Sequence, residues 1–170
     1  MKPSLLALFL CATLACAGQA WATTLPDSCG DDKVKFDVKT EEGQSAPAAP
    51  AEGKAQIIFI ETENQMVVPF HSATVRFGMD GGWVGADYSN SYFAFTVDPG
   101  VHHLCASWQS DIGKKVDVTS FTAEPGQVYY FAAAITVNSR TSITFALSQS
   151  NEDEAKYQLK TWKLSTSKPK

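Results

Sequence analysis

Two adjacent histidines, His102 and His103, are the side chains of this 170-residue chain best equipped for proton transfer or metal binding near neutral pH. On a strand, neighbours point to opposite faces, so the pair cannot chelate one ion together. A metal would need His71 and a carboxylate brought alongside, and no ligand spacing in the sequence does that. The acids Asp80, Asp87, Asp98 and Asp111 fall in turn-like segments, where an Asp side chain serves the backbone by hydrogen bonding. No Ser occupies a G-x-S-x-G elbow. Gly78, Gly81, Gly82 and Gly85 read as a hairpin rather than a phosphate-cradling loop before a helix. The residue pattern therefore assigns no catalytic group, no metal ligand and no cofactor.

Recognition is the chemistry left to consider. Trp83, Tyr88, Tyr92 and Trp108 are candidate ligand-binding residues if they line one face or end of the fold, as aromatic platforms do in glycan-binding modules. The competing reading is that the two tryptophans pack in the core or at a sheet edge, since Trp buries a large area in a small domain. The lysines between positions 156 and 170 could meet anionic lipid or wall polymer, and a solvated helix end is the simpler account. An envelope protein and a glycan are thus the partners considered. Nucleic acid is not: 14 basic against 18 acidic residues give a net charge of −4, without the basic face such binding needs.

Four cysteines narrow to two. Met1-Lys2-Pro3 is a short basic start, residues 4–17 are almost wholly apolar, and Ala20-Trp21-Ala22 has small residues where a leader peptidase reads. This is the form of a cleavable secretory signal with cleavage after Ala22. It is too short for a spanning helix, which needs about 20 apolar residues. Export to the periplasm or the exterior is expected, with no transmembrane segment in the mature chain. A rival reading takes Thr13-Leu14-Ala15-Cys16 as a faint lipobox, with Cys16 lipidated. Cys11 and Cys16 leave with the signal, so Cys29 and Cys105 remain, an even number in an oxidising compartment. A bridge between them would close a loop across 76 positions. That closure is worth on the order of 4 kcal/mol.

The elements that must position these groups are strands. Val34-Lys35-Phe36-Asp37-Val38-Lys39 alternates strictly, the signature of a half-buried strand. Residues 43–53 are an Ala/Pro-rich linker. From 54 to 164, strand-like runs alternate with turn signals: 56–62, 73–79, a return strand from Trp83, 91–97, 101–108, 116–123, 128–137 and 142–148. Asp80-Gly81-Gly82 marks a hairpin, and Asp98-Pro99-Gly100 and Glu124-Pro125-Gly126 mark Pro-Gly corners. Val75, Phe77 and Met79 share one face, as do Phe93, Phe95 and Val97. Asn151 with Glu154 has the form of a helix capping box, and Ala155, Leu159 and Trp162 form an apolar stripe. The expected architecture is mainly β: an antiparallel sandwich of about seven to nine strands with one C-terminal helix. Residues 1–22 would be the signal, 23–42 an extension with one strand, 43–53 the linker, 54–164 the sandwich domain and 165–170 a frayed tail.

The order of features from Gly53 to Leu164 resembles a bacterial envelope family known as a domain of unknown function (family 2846). The resemblance rests on Gly53-Lys54-Ala55-Gln56-Ile57-Ile58-Phe59-Ile60, on the Gly-rich hairpin from Val75 to Gly85, and on Ser91-Tyr92-Phe93 leading to Asp98-Pro99-Gly100-Val101-His102. Phe121-Thr122-Ala123-Glu124-Pro125-Gly126-Gln127-Val128-Tyr129-Tyr130-Phe131 carries it furthest. It is also similar, more distantly, to Pro-Gly-cornered sandwich modules of bacterial surface proteins. The resemblance implies a secreted or lipid-anchored β-domain and supplies no catalytic residue. The function expected is a non-enzymatic interaction or accessory role at the cell envelope. A glycan-binding module and a hydrolase without a recognisable motif are the alternatives.

Overall fold

The computed structural model of the chain describes residues 26–42, 47–64, 74–88, 90–109, 115–139 and 142–170. The leader with its cleavage site, Cys16, His71 and Asp111 lie outside the described residues. Ten strands and one helix follow in chain order: β1 (Phe36–Glu41), β2 (Ala55–Asn64), β3 (Thr74–Met79), β4 (Gly82–Tyr88), β5 (Ser91–Val97), β6 (Gly100–Trp108), β7 (Lys115–Ala123), β8 (Val128–Ser139), β9 (Ser142–Gln149), α1 (Glu152–Leu159) and β10 (Lys163–Pro169). They build a six-stranded sheet ordered β1-β10-β5-β2-β8-β9 and a four-stranded sheet ordered β4-β3-β6-β7.

The expected alternations become the interior. Ile57 and Phe59 of β2, Phe131, Ala133 and Ile135 of β8 and Leu147 of β9 join Val75 and Phe77 of β3, Leu104 and Ala106 of β6 and Ala123 of β7 in one cluster drawn from both sheets. At its centre the Phe59 ring lies 4.7 Å from Phe77 and 5.2 Å from Phe93. A Cβ on Gly85 would fall 2.7 Å from the Phe93 ring, so this glycine leaves the space that ring fills. The β3–β4 hairpin turns through Asp80 (φ 51°) and Gly81 (φ 89°), two consecutive left-handed residues as a tight two-residue turn requires.

The interior uses only one face of the six-stranded sheet. On the other, Ile58, Ile60, Tyr92 and Tyr130 form a second cluster closed by Ala155 of α1, with Leu159, Trp162 and Leu164 packed around it. This is why β2 is apolar at consecutive positions 57–60. The helix begins where the capping box predicts, the Asn151 side chain accepting the Glu154 N–H at 2.8 Å. The apolar stripe lands on the sheet, although Trp162 falls just beyond the helix end.

Several expectations are corrected. The strands number ten, not seven to nine, and the six-stranded sheet is mixed rather than antiparallel, because β2 pairs with β8, and β10 with β5, in parallel. The helix is not the last element. Residues expected as a frayed tail form β10, paired residue for residue with β1 from Glu41–Leu164 to Phe36–Pro169. Its run of small polar residues carries little apolar periodicity. It is placed by ladder hydrogen bonds between β1 and β5 and by burial of Ser165. The extension bearing β1 is consequently part of the six-stranded sheet rather than an appendage.

Candidate functional site

The segment before β1 lies across the outer face of the four-stranded sheet. Cys29 and Cys105 of β6 stand at disulfide distance, with Cα atoms 5.2 Å apart, and both are buried. Arg76, on the outward side of β3, is only 5% exposed because this segment covers it. Its guanidinium donates to the Asp32 and Val34 carbonyls at 3.1 and 2.5 Å and to Ser107 Oγ at 3.0 Å. Burial lowers its pKa, with Asp32 working the other way.

The four candidate aromatics do not form an exposed platform. Trp83 is half-buried, with Nε1–H donating to the Asp31 carbonyl at 2.8 Å and the Arg76 guanidinium 4.5 Å from its ring centroid. This is a cation–π contact that fastens the strap. Trp108 packs in the cluster between the sheets, and Tyr92 is buried beneath α1. Tyr88 alone is exposed. The sequence pattern could not separate these cases, because both faces of each sheet are covered over part of their area.

His102 is held at both ring nitrogens. Nδ1 lies 2.6 Å from Asp80 Oδ2 and Nε2 lies 2.8 Å from the Asp98 carbonyl oxygen, while Asp80 Oδ1 accepts the His103 N–H at 2.8 Å. Partial burial works against the imidazolium, but these acceptors outweigh it and raise the His102 pKa. Burial likewise opposes the Asp80 charge, and the His103 N–H and the His102 ring outweigh it, holding the carboxyl below its ordinary range. Asp98 is lowered chiefly by its ion pair with Lys54. The cluster ties the β3–β4 hairpin to the start of β6, with both ring nitrogens of His102 engaged by oxygen atoms.

A second acidic group sits inside. Asp87 of β4 and Glu61 of β2 are both fully buried. Register explains the first: Asp87 pairs with Val75, so it shares the inward face. No hydrogen bond reaches either Asp87 carboxylate oxygen. The favourable hydroxyl there, Ser165 Oγ, is 2.6 Å from Ser91 Oγ. Burial, opposed by the Ser165 hydroxyl and reinforced by the Glu61 charge, pushes the Asp87 pKa well up. Asp87 was expected in a turn and instead faces the interior. Among the described residues no three His, Cys, Asp or Glu gather as a metal ion would require.

A mostly apolar hollow lies elsewhere. It has a volume of about 490 Å³ and opens between α1, the covered face of the six-stranded sheet and residues 47–49. Its floor consists of alternate rungs of the parallel β2–β8 ladder that share one face, Gln56 with Val128 and Ile58 with Tyr130. Leu159, Lys156 and Lys160 of the helix and its C-cap form one wall, and Pro47, Ala48 and Ala49 the other. Sequence reasoning missed this site. The available signal was an apolar β2 on both faces together with Lys156 and Lys160 one helical turn apart beside Leu159.

Comparison with protein-family models, curated proteins and solved structures finds no match to the chain. Among the described residues no helix is long and apolar enough to cross a membrane.

Proposed function

We propose that the chain is an exported β-sandwich module of the cell envelope that works by binding rather than by catalysis, with the hollow beside α1 as its ligand site. The observation that carries this reading is the hollow itself. It is a concavity of ligand size, lined mostly by apolar side chains, with Gln56 and Tyr130 on its floor and two lysines on one wall. The side chains that could do chemistry have other work: His102 secures a corner, and Asp87 is sealed inside. The basic start, apolar run and A-x-A site favour export, and a Cys29–Cys105 bridge suits an oxidising compartment. The likeness to the envelope family points to the same address.

The test is binding of a solvatochromic apolar probe, N-phenyl-1-naphthylamine, to the purified mature protein. A stoichiometric fluorescence rise that Val128→Trp abolishes, with an unchanged circular dichroism spectrum, supports the reading. A protein that binds no probe, or binds it equally after Val128→Trp, overturns it. Mass spectrometry of the chain recovered from the envelope fraction tests the address: an N-terminus at Thr23 is expected, and a retained Met1 would sink export by cleavage.

A further inference from the structure

Resting on that reading of the hollow as a ligand site, we infer that its ligand is a single-chain amphiphile with a carboxylate head, a free fatty acid. The charged groups of the hollow are segregated. Val128, Ile58, Leu159 and the small side chains of residues 47–49 surround most of it and carry no charge, and Gln56 on the floor adds only a neutral amide. Among the described residues both charged side chains on its lining are cations, Lys156 and Lys160, and no acidic side chain lines it. Four positions apart, they rise from one side of the helix.

The two lysines are not equivalent. Lys156 Nζ is 2.5 Å from Glu152 Oε1, which neutralises it and fixes it in place. Lys160, exposed at the helix C-cap, has no ion pair among the described residues and is the cation available to a ligand. The Tyr130 hydroxyl adds a neutral donor below. Its ring is buried, desolvation raises its pKa, and the Lys156 and Glu152 charges act on it in opposite directions. An anionic head at Lys160 therefore leaves an acyl chain to run along the Val128–Ile58 floor towards residues 47–49. A cationic head would be repelled by Lys160. A neutral head would leave Lys160 without a counter-charge. The wall of residues 47–49 bounds the floor, which favours one chain held within the protein over docking against a bilayer surface.

Calorimetric titration of the mature protein with octanoate, decanoate, decanol and decyltrimethylammonium tests the inference. Decanoate is expected to bind one to one, about fifteenfold tighter than octanoate for its two extra buried methylenes. Decanol should bind about tenfold more weakly than decanoate, and decyltrimethylammonium not at all. Lys160→Glu, a change at an exposed position, should weaken decanoate about tenfold and leave decanol unaltered. Equal binding of decanol and decanoate, or decanoate binding unaffected by Lys160→Glu, overturns the carboxylate assignment while leaving the hollow a ligand site. Absence of binding by every amphiphile and by N-phenyl-1-naphthylamine overturns both. Flotation with phosphatidylglycerol vesicles without decanoate binding overturns the free acid in favour of a lipid surface.

Discussion

Asp80 and His102 meet at 2.6 Å across the hairpin corner, and the same carboxylate takes the His103 N–H, so one aspartate at a left-handed turn position joins β3–β4 to β6. The His102 pKa is raised above 6.5 in the folded chain. Its contribution is therefore complete below the unfolded value and fades as pH rises through the folded one. The Asp80 pKa is lowered below 3.8, so its contribution is present above that value and lost as pH falls. The pair stabilises most between these limits. His102→Gln should cost about 1 kcal/mol near pH 5.5 and less above neutrality, read from urea unfolding across a pH series. A cost that does not vary with pH would show that the ring acts by packing alone.

Asp87 predicts a slope of the opposite origin. A buried acid whose folded pKa is raised binds a proton that the unfolded chain releases near 3.8, so stability falls as pH rises above that value towards the folded pKa. Asp87→Asn keeps the shape and removes the titration. It should stabilise the protein above neutral pH and flatten the slope, measured by thermal unfolding between about pH 5 and 9. A destabilised Asn variant at high pH would mean that Asp87 is ionised and compensated.

Gly85 predicts a packing defect. An alanine Cβ there would stand 2.7 Å from the Phe93 ring. Overpacking of this kind costs about 1–3 kcal/mol. In the background Phe93→Leu the added methyl should cost less, and a double-mutant cycle by urea denaturation measures the difference. Additive effects would place the strain elsewhere.

The bridge between Cys29 and Cys105 predicts a loss on removal. Closing a loop between residues 76 apart restrains the unfolded chain by about 4 kcal/mol. Cys29→Ala with Cys105→Ala should lower unfolding stability by roughly that amount. It should also release the strap that fastens Trp83, so indole fluorescence should shift towards that of an exposed ring. Unchanged stability would show that the Arg76 and Trp83 contacts hold the segment without the bridge.

Much of the fold is legible in local pattern. Strict alternation at Val75, Phe77, Phe93 and Phe95 marks inward faces, because side-chain direction in a strand has a period of two residues. Asp80-Gly81 encodes its turn through left-handed backbone, and Asn151 with Glu154 encodes the helix start. The two cysteines remaining after the leader could be paired by count. Each of these signals depends on neighbours within a few residues, or on there being only one partner to choose.

What tertiary structure decided depends on contacts far apart in sequence. The parallel pairing of β2 with β8 joins segments more than 70 positions apart, as Gln56 with Val128 shows. No local rule selects it over an antiparallel alternative. The small polar residues 163–169 become a strand only because β1 and β5 offer unsatisfied ladder groups on either side. Asp87 could not be read as an interior acid until its register against Val75 was fixed. Lys160 and Ile58 belong to one hollow because α1 packs over the covered face of the β2–β8 pair, opposite residues 47–49. Periodicity gives the direction in which a side chain points. Only the packing of both sheets and the helix determines what it points at.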